Sequence, residues 1–430
     1  MNQREAAEFA LDELRKAGAE RSQVIASASE KQELNVEAGE VFLYRTLINQ
    51  NLSLRAIRGG KQGSTRVNKL DQSSIESAVQ EVMQILEAAS ADSAYDIAPL
   101  QTTRSFEHGP LRPDRESMHQ RLTEMLAETK KLFPLTILEG VHLDHVHSQL
   151  SLLNSNGVDF QAQEGHYGFT AMFTSKEGAK ASSFNYTGGS LLSLNRALLD
   201  TFGLADLLRQ SVEHIHPKSV SEKFSGELIL TPYSLPSMLG SYLGYLSDSS
   251  LIGGTSLFKD KLGQRVASPL FSVRSDPRGA AMATHEFFDA EGFESQPFEI
   301  FSEGVLKSFL LSQYGSRKTG KEKAKSGGGH LVVRSGATPF SEMLRGLKRG
   351  ILLGRFSGGR PSENGDFSGV AKNSYYVEDG KILYPVSETM ISGNLSQLFA
   401  GISHVSQESV NFGNSIYPYL LAPGVTISGK

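Results

Sequence analysis

The sequence predicts an α+β protein in three parts: an N-terminal helix–strands–helix layer, a central α+β unit, and a C-terminal domain of mostly antiparallel sheet with a few helices. Three observations carry this. Helical apolar spacing is confined to short segments. Apolar runs bounded by turn residues occupy much of the remainder. Glycine and closely spaced turn signals dominate the last half of the chain. A length of 430 residues also exceeds one ordinary core.

The first helix rests on Ala6, Ala7, Phe9, Ala10, Leu11 and Leu14, with Gly18 as its stop. Extended stretches follow at about Gln23–Ser29, Glu33–Val36 and Leu52–Ile57, the last turning through Gly59-Gly60 into a return strand. A second helix starts near Ser73, where Ser73 and Glu76 have capping-box spacing ahead of the Ile75, Val79, Val82, Met83 and Leu86 stripe. From Ala91 to Pro113 the periodicity vanishes. Asp114 then caps a helix bearing Met118, Leu122, Met125 and Leu126, and a β-rich run turns at Asn154-Ser155-Asn156-Gly157 before a helical stretch near Leu191–Leu208. His216-Pro217-Lys218 breaks the pattern again. Beyond it Glu303-Gly304 and Asp379-Gly380 read as hairpin turns, and helical patterning persists near Ser234–Leu246 and Ser341–Leu347. The expected domains are residues 1–95, 96–216 and 217–430.

Composition excludes several classes. The 47 acids, 43 bases and net charge of −4 provide no global positive field for nucleic acid. The absence of cysteine removes disulfides, thiol catalysis and thiolate zinc sites. The N-terminus is charged from Arg4 onward, and no apolar run approaches the roughly 20 residues that span a bilayer. A cytoplasmic protein without a membrane partner is expected.

Local motifs are few. Gly315-Ser316-Arg317-Lys318-Thr319-Gly320-Lys321 fits G-x-x-x-x-G-K, but Glu322 stands where a magnesium-binding hydroxyl belongs, so a solvated basic loop is the better reading. His145 and His147 share one face of a predicted strand, where two imidazoles could ligate a metal, and His214 and His216 repeat the spacing. Neither pair has a clear third ligand. His285-Glu286 lacks the second histidine of H-E-x-x-H, and no G-x-S-x-G elbow occurs. The glycines at 354, 358, 359, 365 and 369 suit hairpin joints or close backbone approach.

Three blocks in the last domain resemble the TldD/PmbA family, once called modulators of DNA gyrase. They are Asp289-Ala290-Glu291-Gly292 with Glu303-Gly304-Val305-Leu306 and Tyr314–Gly320; Gly365–Ala371 with Val377–Ile382 and Tyr384-Pro385-Val386; and Ile391–Leu395 with Pro423–Gly429. In that family the TldD kind holds zinc with an H-E-x-x-x-H helix and a later cysteine. The corresponding segment here, Thr231–Tyr245, contains neither histidine nor glutamate. The resemblance is therefore to the PmbA kind, also called TldE.

That resemblance implies a subunit of a metallopeptidase complex that cleaves unfolded or leader peptides. It would pair with a TldD-type subunit as a heterodimer, or form a homodimer in isolation. No cofactor is expected in this chain, zinc belonging to the TldD-type partner, and no catalytic or metal-binding residue is assigned. Asp289, Glu291, Gly292, Gly365, Asp366, Phe367, Ser368 and Gly369 are the candidates for cleft or interface positions. Two alternatives stand beside this reading: a self-contained metal-dependent hydrolase using His145, His147, His214 or His216, and a gyrase- or nucleic-acid-binding protein relying on Arg317, Lys318, Lys321, Lys323 and Lys325.

Overall fold

The structure is a computed structural model and describes residues 1–37 and 39–429. The chain first lays down α1 (Gln3–Lys16), β1 (Arg21–Glu37), β2 (Glu40–Arg58), β3 (Lys61–Val67), α2 (Gln72–Ala88), β4 (Arg104–His108), α3 (Arg115–Leu132), β5 (Thr136–Asn154), β6 (Asp159–Glu177), β7 (Lys180–Ala181), β8 (Asn185–Leu191) and α4 (Leu204–Glu213). The strands form one sheet in the order β3-β2-β1-β5-β6-β4, with β7 and β8 also against β6. β4 runs parallel to β6, and β1 is antiparallel to both of its neighbours.

β1 is the spine. It pairs with β2 from Arg21 to Glu37 and with β5 from Gln23 to Val36. The two extended stretches expected between Gln23 and Val36 are therefore one strand, because both flanking strands supply hydrogen bonds through the polar Glu30-Lys31-Gln32 step. The expected boundary at residue 95 lies between α2 and β4 and leaves the sheet uninterrupted.

Alternation along the strands decides what covers each face. Val24, Ala26, Leu52, Leu54, Ala56 and Leu153 pack under α1 and α2, while Leu34, Val36, Leu143, Tyr167, Phe169 and Phe173 form a core with apolar residues of α3 and α4. Asn2 closes a capping box with Glu5 at the start of α1. Asp114 caps α3 as expected. For α2 the cap is Asp71, which accepts from the Ser74 amide at 2.9 Å; Ser73 lies inside the helix and Glu76 bonds Gln72 instead.

The second sheet is built from β9 (Phe224–Leu230), α5 (Leu235–Gly244), α6 (Asp248–Ile252), β10 (Val273–Ser275), β11 (Phe298–Ser302), β12 (Val305–Leu306), α7 (Gln313–Thr319), β13 (Leu331–Val333), α8 (Phe340–Gly346), β14 (Arg349–Leu353), β15 (Arg355–Gly358), β16 (Asp366–Lys372), β17 (Tyr375–Glu378), β18 (Lys381–Pro385), β19 (Thr389–Asn394), α9 (Leu395–Ala400), β20 (His404–Asn411) and β21 (Ile416–Ser428). Its main path is β12-β11-β10-β13-β21-β9-β14-β17-β18, with β19 and β20 also on β21 and β16 between β15 and β19. Most pairings are antiparallel, and the hairpin turns at Glu303-Gly304 and Asp379-Gly380 have positive φ at both residues. The core centres on Tyr242 of α5, whose ring stacks on Phe399 at 4.2 Å while its hydroxyl donates to the Val266 carbonyl at 3.0 Å.

The uncovered face of the first sheet meets the C-terminal domain. Leu152, Val158 and Phe160 cluster there with Ala98, Phe106, Phe288 and Phe293. A second contact is electrostatic: Arg317 pairs with Asp96, and Lys318 pairs with Asp92 at 3.0 Å, beneath a stack of Tyr95 on Tyr314 at 5.4 Å.

Where β3 crosses α2, a Cβ on Gly63 would stand 2.3 Å from the Val82 carbonyl oxygen and 2.9 Å from the Leu86 amide nitrogen. Both obstacles are backbone, so a side chain must push helix and strand apart. Gly63→Val is expected to lower stability by about 1–3 kcal/mol, read as a shifted urea midpoint at constant slope.

Candidate functional site

The Asp289–Gly292 block forms a tight turn at the junction of the two sheets. Asp289 Oδ1 accepts from the amides of Glu291 and Phe293, each at 3.0 Å. Gly292 has φ +90°, and a Cβ there would lie 2.9 Å from Gln23 Oε1 and 3.2 Å from Leu152 Cδ2. Glycine is thus required by both backbone and space. Gln23 of β1 donates to the Ala290 carbonyl at 2.9 Å, and Gln101 donates to that of Gly292 at 2.5 Å.

The same turn lines a cavity of about 500 Å³ with Asp248, Ser312 and Lys323. Lys323 bonds Asp289, stands 3.9 Å from Glu291 and lies over the Phe293 ring. Glu291 Oε2 accepts from the Gln313 amide at 2.7 Å, yet burial pushes this carboxyl above its usual range. Asp248 accepts from the Ser312 amide at 3.0 Å. Three carboxylates face one ammonium, a setting suited to cationic or amide-donating groups.

The second block is placed differently. Gly365, at φ +91°, turns the chain into β16, and Asp366 accepts from Asn364 and Asn394 side chains at 2.9 Å each. Phe367 is buried against Phe356, whose ring also occupies the space beside Gly369. Ser368 sits opposite Ser392 in the β16–β19 pairing. None of these five residues lines the cavity that holds Asp289 and Glu291.

A second cavity, about 480 Å³, opens beside the N-terminal turn of α5, lined by Tyr186, Tyr233, Ser237, Arg355 and Phe412 among others. Arg355 donates to the carbonyls of Tyr233, at 2.9 Å, and Tyr186, and its guanidinium lies 4.1 Å from the Tyr186 ring centre. Sequence reasoning missed this arginine. Its only local signal is its place just before the glycine run, and its partner Tyr186 is far away in the chain.

His145 and His147 line one cavity, but neither histidine pair gains a third ligand among the described residues. His145 is buried with Nε2 2.6 Å from the Pro110 carbonyl oxygen. His214 is enclosed between the carbonyl oxygens of Gln210 and Ser374, at 2.7 and 3.0 Å, whereas His216 is exposed against Glu177. Among the described residues no three His, Cys, Asp or Glu side chains stand where they could hold one metal ion. The α5 residues do not fit zinc either: Met238, Leu239, Tyr242 and Leu243 are buried in the core, and Pro236, Ser237, Gly240 and Gly244 face outward.

The phosphate-loop reading also fails. Gly315–Thr319 lies in α7, Gly320 is its left-handed C-cap, and Arg317 and Lys318 are spent on Asp96 and Asp92. With Lys323 on Asp289, three of the five cations that favoured a nucleic-acid surface are paired with acids.

Comparison with known proteins agrees with this architecture. The model of the PmbA/TldA metallopeptidase C-terminal domain matches residues 225–429, and that of PmbA/TldA metallopeptidase domain 1 matches residues 23–86. The chain belongs to the PmbA/TldD family. It is 22% identical to a metalloprotease PmbA homolog of Haemophilus influenzae, covering 99% of this chain and 96% of that protein. The match to metalloprotease PmbA of Escherichia coli O157:H7 is 27% identical and spans 53% of this chain and 50% of that relative. Two solved structures share the fold: a protein from Bacteroides thetaiotaomicron described as a modulator of DNA gyrase (21% identity, TM-score 0.87, 99% and 98% coverage) and TldE from Thermococcus kodakarensis (18%, 0.83, 99% and 100%). No described helix is long and apolar enough to cross a membrane.

The two lysine–carboxylate contacts at the junction differ in burial. The side chains of Lys323 and Asp289 are 17% and 9% exposed, those of Lys318 and Asp92 36% and 21%. Lys323→Met strands a buried carboxylate and is expected to cost about 3 kcal/mol, while Lys318→Met, at a pair that solvent screens, is expected to cost clearly less. Urea denaturation of both variants side by side checks the ordering.

Proposed function

We propose that this chain is the PmbA/TldE-like, metal-free half of a cytoplasmic metallopeptidase assembly. A TldD-type subunit supplies the zinc, and the pair cleaves unfolded or leader peptides. The observation that carries the reading is α5: at the position corresponding to the zinc helix of the TldD kind, it turns Pro236, Ser237, Gly240 and Gly244 outward and offers no ligand. Beyond Gly240 and Gly244 nothing lies within 4 Å of where a Cβ would stand. A substrate or partner backbone can approach such a surface closely.

This chain's contribution is to hold and shape. Among the described residues β15 pairs only with β16, so its other edge has no strand partner beside the α5 cavity, and Arg355 is anchored at its start. An extended peptide added along that edge is held through its main chain, which selects unfolded shape over sequence. The Asp289, Glu291 and Lys323 cavity and the Gly365–Gly369 turn serve as wall or interface positions in the same assembly.

The test is purification of the chain alone and with a TldD-type relative, followed by cleavage of an unfolded peptide and measurement of bound zinc. The lone chain is expected to carry far less than one zinc per chain and to leave the peptide intact, with chelator-sensitive cleavage only in the mixture. Stoichiometric zinc or chelator-sensitive cleavage in the lone chain overturns the reading.

A further inference from the structure

Seven buried side-chain polar atoms among the described residues have no protein hydrogen-bond partner, and five of them are imidazole nitrogens: His108 Nε2, His147 Nε2, His166 Nδ1, His285 Nε2 and His330 Nδ1. Four of these rings gather at one seam. His108 on β4 stacks on His285 of the C-terminal domain with ring centres 3.5 Å apart and planes 14° from parallel. His166 on β6 interacts electrostatically with His108, and His285 does so with both His108 and His330. Glu164, opposite His108 in the β4–β6 pairing, accepts from the His285 amide. The charged groups around them are already engaged. Arg278 pairs with Glu294 at 3.0 Å, Arg104 reaches Glu294 at 3.6 Å, Arg274 holds Asp276, and Glu286 accepts from Ser295 and the Gly327 amide. His145 acts on His166, and Glu286 and Asp276 act on His330.

We propose that this histidine seam is a proton-operated latch between the first sheet and segment Met282–Phe288 of the C-terminal domain, closed at neutral pH and released by mild acid. Two neutral imidazoles can stack at 3.5 Å. Each ring already meets backbone acceptors, His108 at Met282 and Ala283 and His285 at Gly279, but both Nε2 atoms are buried without one. Two stacked imidazolium ions are therefore left short of acceptors, and Glu164, engaged by the His285 amide, is itself desolvated. Ala281 and Ala283 also line a cavity of about 440 Å³ with Ser190, Thr201, Asn411 and Gly413, so release of the segment enlarges that cavity. The latch is independent of the peptidase reading, because it concerns only this chain's internal seam.

The signs follow from burial. Burial, reinforced by neighbouring histidines, pushes His166 and His285 down to about 4, and also lowers His108 and His330. Below the ordinary histidine value of 6.5 the open form therefore binds protons that the closed form refuses, and closure weakens as pH falls toward 4. Glu164 works the other way. Burial raises it to about 7, so its closed form gains protons, and closure gains strength, as pH falls from 7 toward 4.5. From pH 7 to pH 5 each of the two rings favours opening by about twentyfold and Glu164 opposes by about fortyfold, a net opening on the order of tenfold.

Hydrogen exchange of the full chain, expressed as protection factors for Met282–Phe288 at pH 7 and pH 5, reads this directly. The wild type is expected to lose on the order of tenfold protection in that segment. Glu164→Gln raises the loss to several-hundredfold, His285→Gln reduces it by about twentyfold, and His108→Gln reduces it in the same direction. His119→Gln, on the exposed side of α3, behaves as wild type. Far-UV circular dichroism at pH 7.5 confirms that each variant is folded, and the two imidazole variants back each other up. Unchanged protection between pH 7 and pH 5 overturns the latch, as do shifts of the same sign in Glu164→Gln and His285→Gln.

Discussion

The double pairing of β1 is the constraint on which the architecture rests. A strand of 17 residues bonded on both edges for nearly its whole length puts β2 and β5 in register with each other, although the segments were read as separate domains. Period-two alternation then divides the sheet. One face, carrying Val24, Leu54, Leu143 and Phe169, takes four helices; the other, carrying Leu152 and Phe160, is left apolar and must find cover elsewhere. The C-terminal domain supplies it.

That cover is chemically mixed. An aromatic cluster around Phe160 and Phe288 removes apolar area from water, the Asp289–Gly292 turn adds main-chain hydrogen bonds from Gln23 and Gln101, and the Asp92 and Asp96 clasp adds charge at an exposed margin. Of these the clasp contributes least, since solvent screens it. The histidine seam lies within the same contact with its rings half-buried, so solvent screens it less than the clasp.

The fold was largely legible because its signals are local. Asp114, the Asn154–Gly157 turn and the positive-φ pairs at 303–304 and 379–380 act within a few residues. Family blocks in the last domain were legible for the same reason. What escaped was long-range. Glu30-Lys31-Gln32 reads as a break until two neighbouring strands are known to pair through it. Ser73 read as the cap on its spacing to Glu76, whereas Asp71 takes that place by accepting from the Ser74 amide. Arg317 and Lys318 read as a free basic loop because their acids lie more than 200 residues earlier. Nor could any pattern show that His108 and His285 stack, for each is unremarkable in its own segment.

The candidate site carries the same lesson into chemistry. Asp289 and Glu291 were picked out as a block, and the structure gives the block two simultaneous tasks: its main chain docks the domains while its carboxylates line a cavity with Asp248 and Lys323. A side chain serving both cannot move freely without loosening the junction. α5 presents the opposite case. Its buried face, led by Tyr242, is fixed by aromatic packing, while its outer face is small and carries no chemistry of its own. A helix so rigidly held and so sparsely dressed is suited to meeting another surface closely. α5 itself brings no His, Cys, Asp or Glu side chain to that surface.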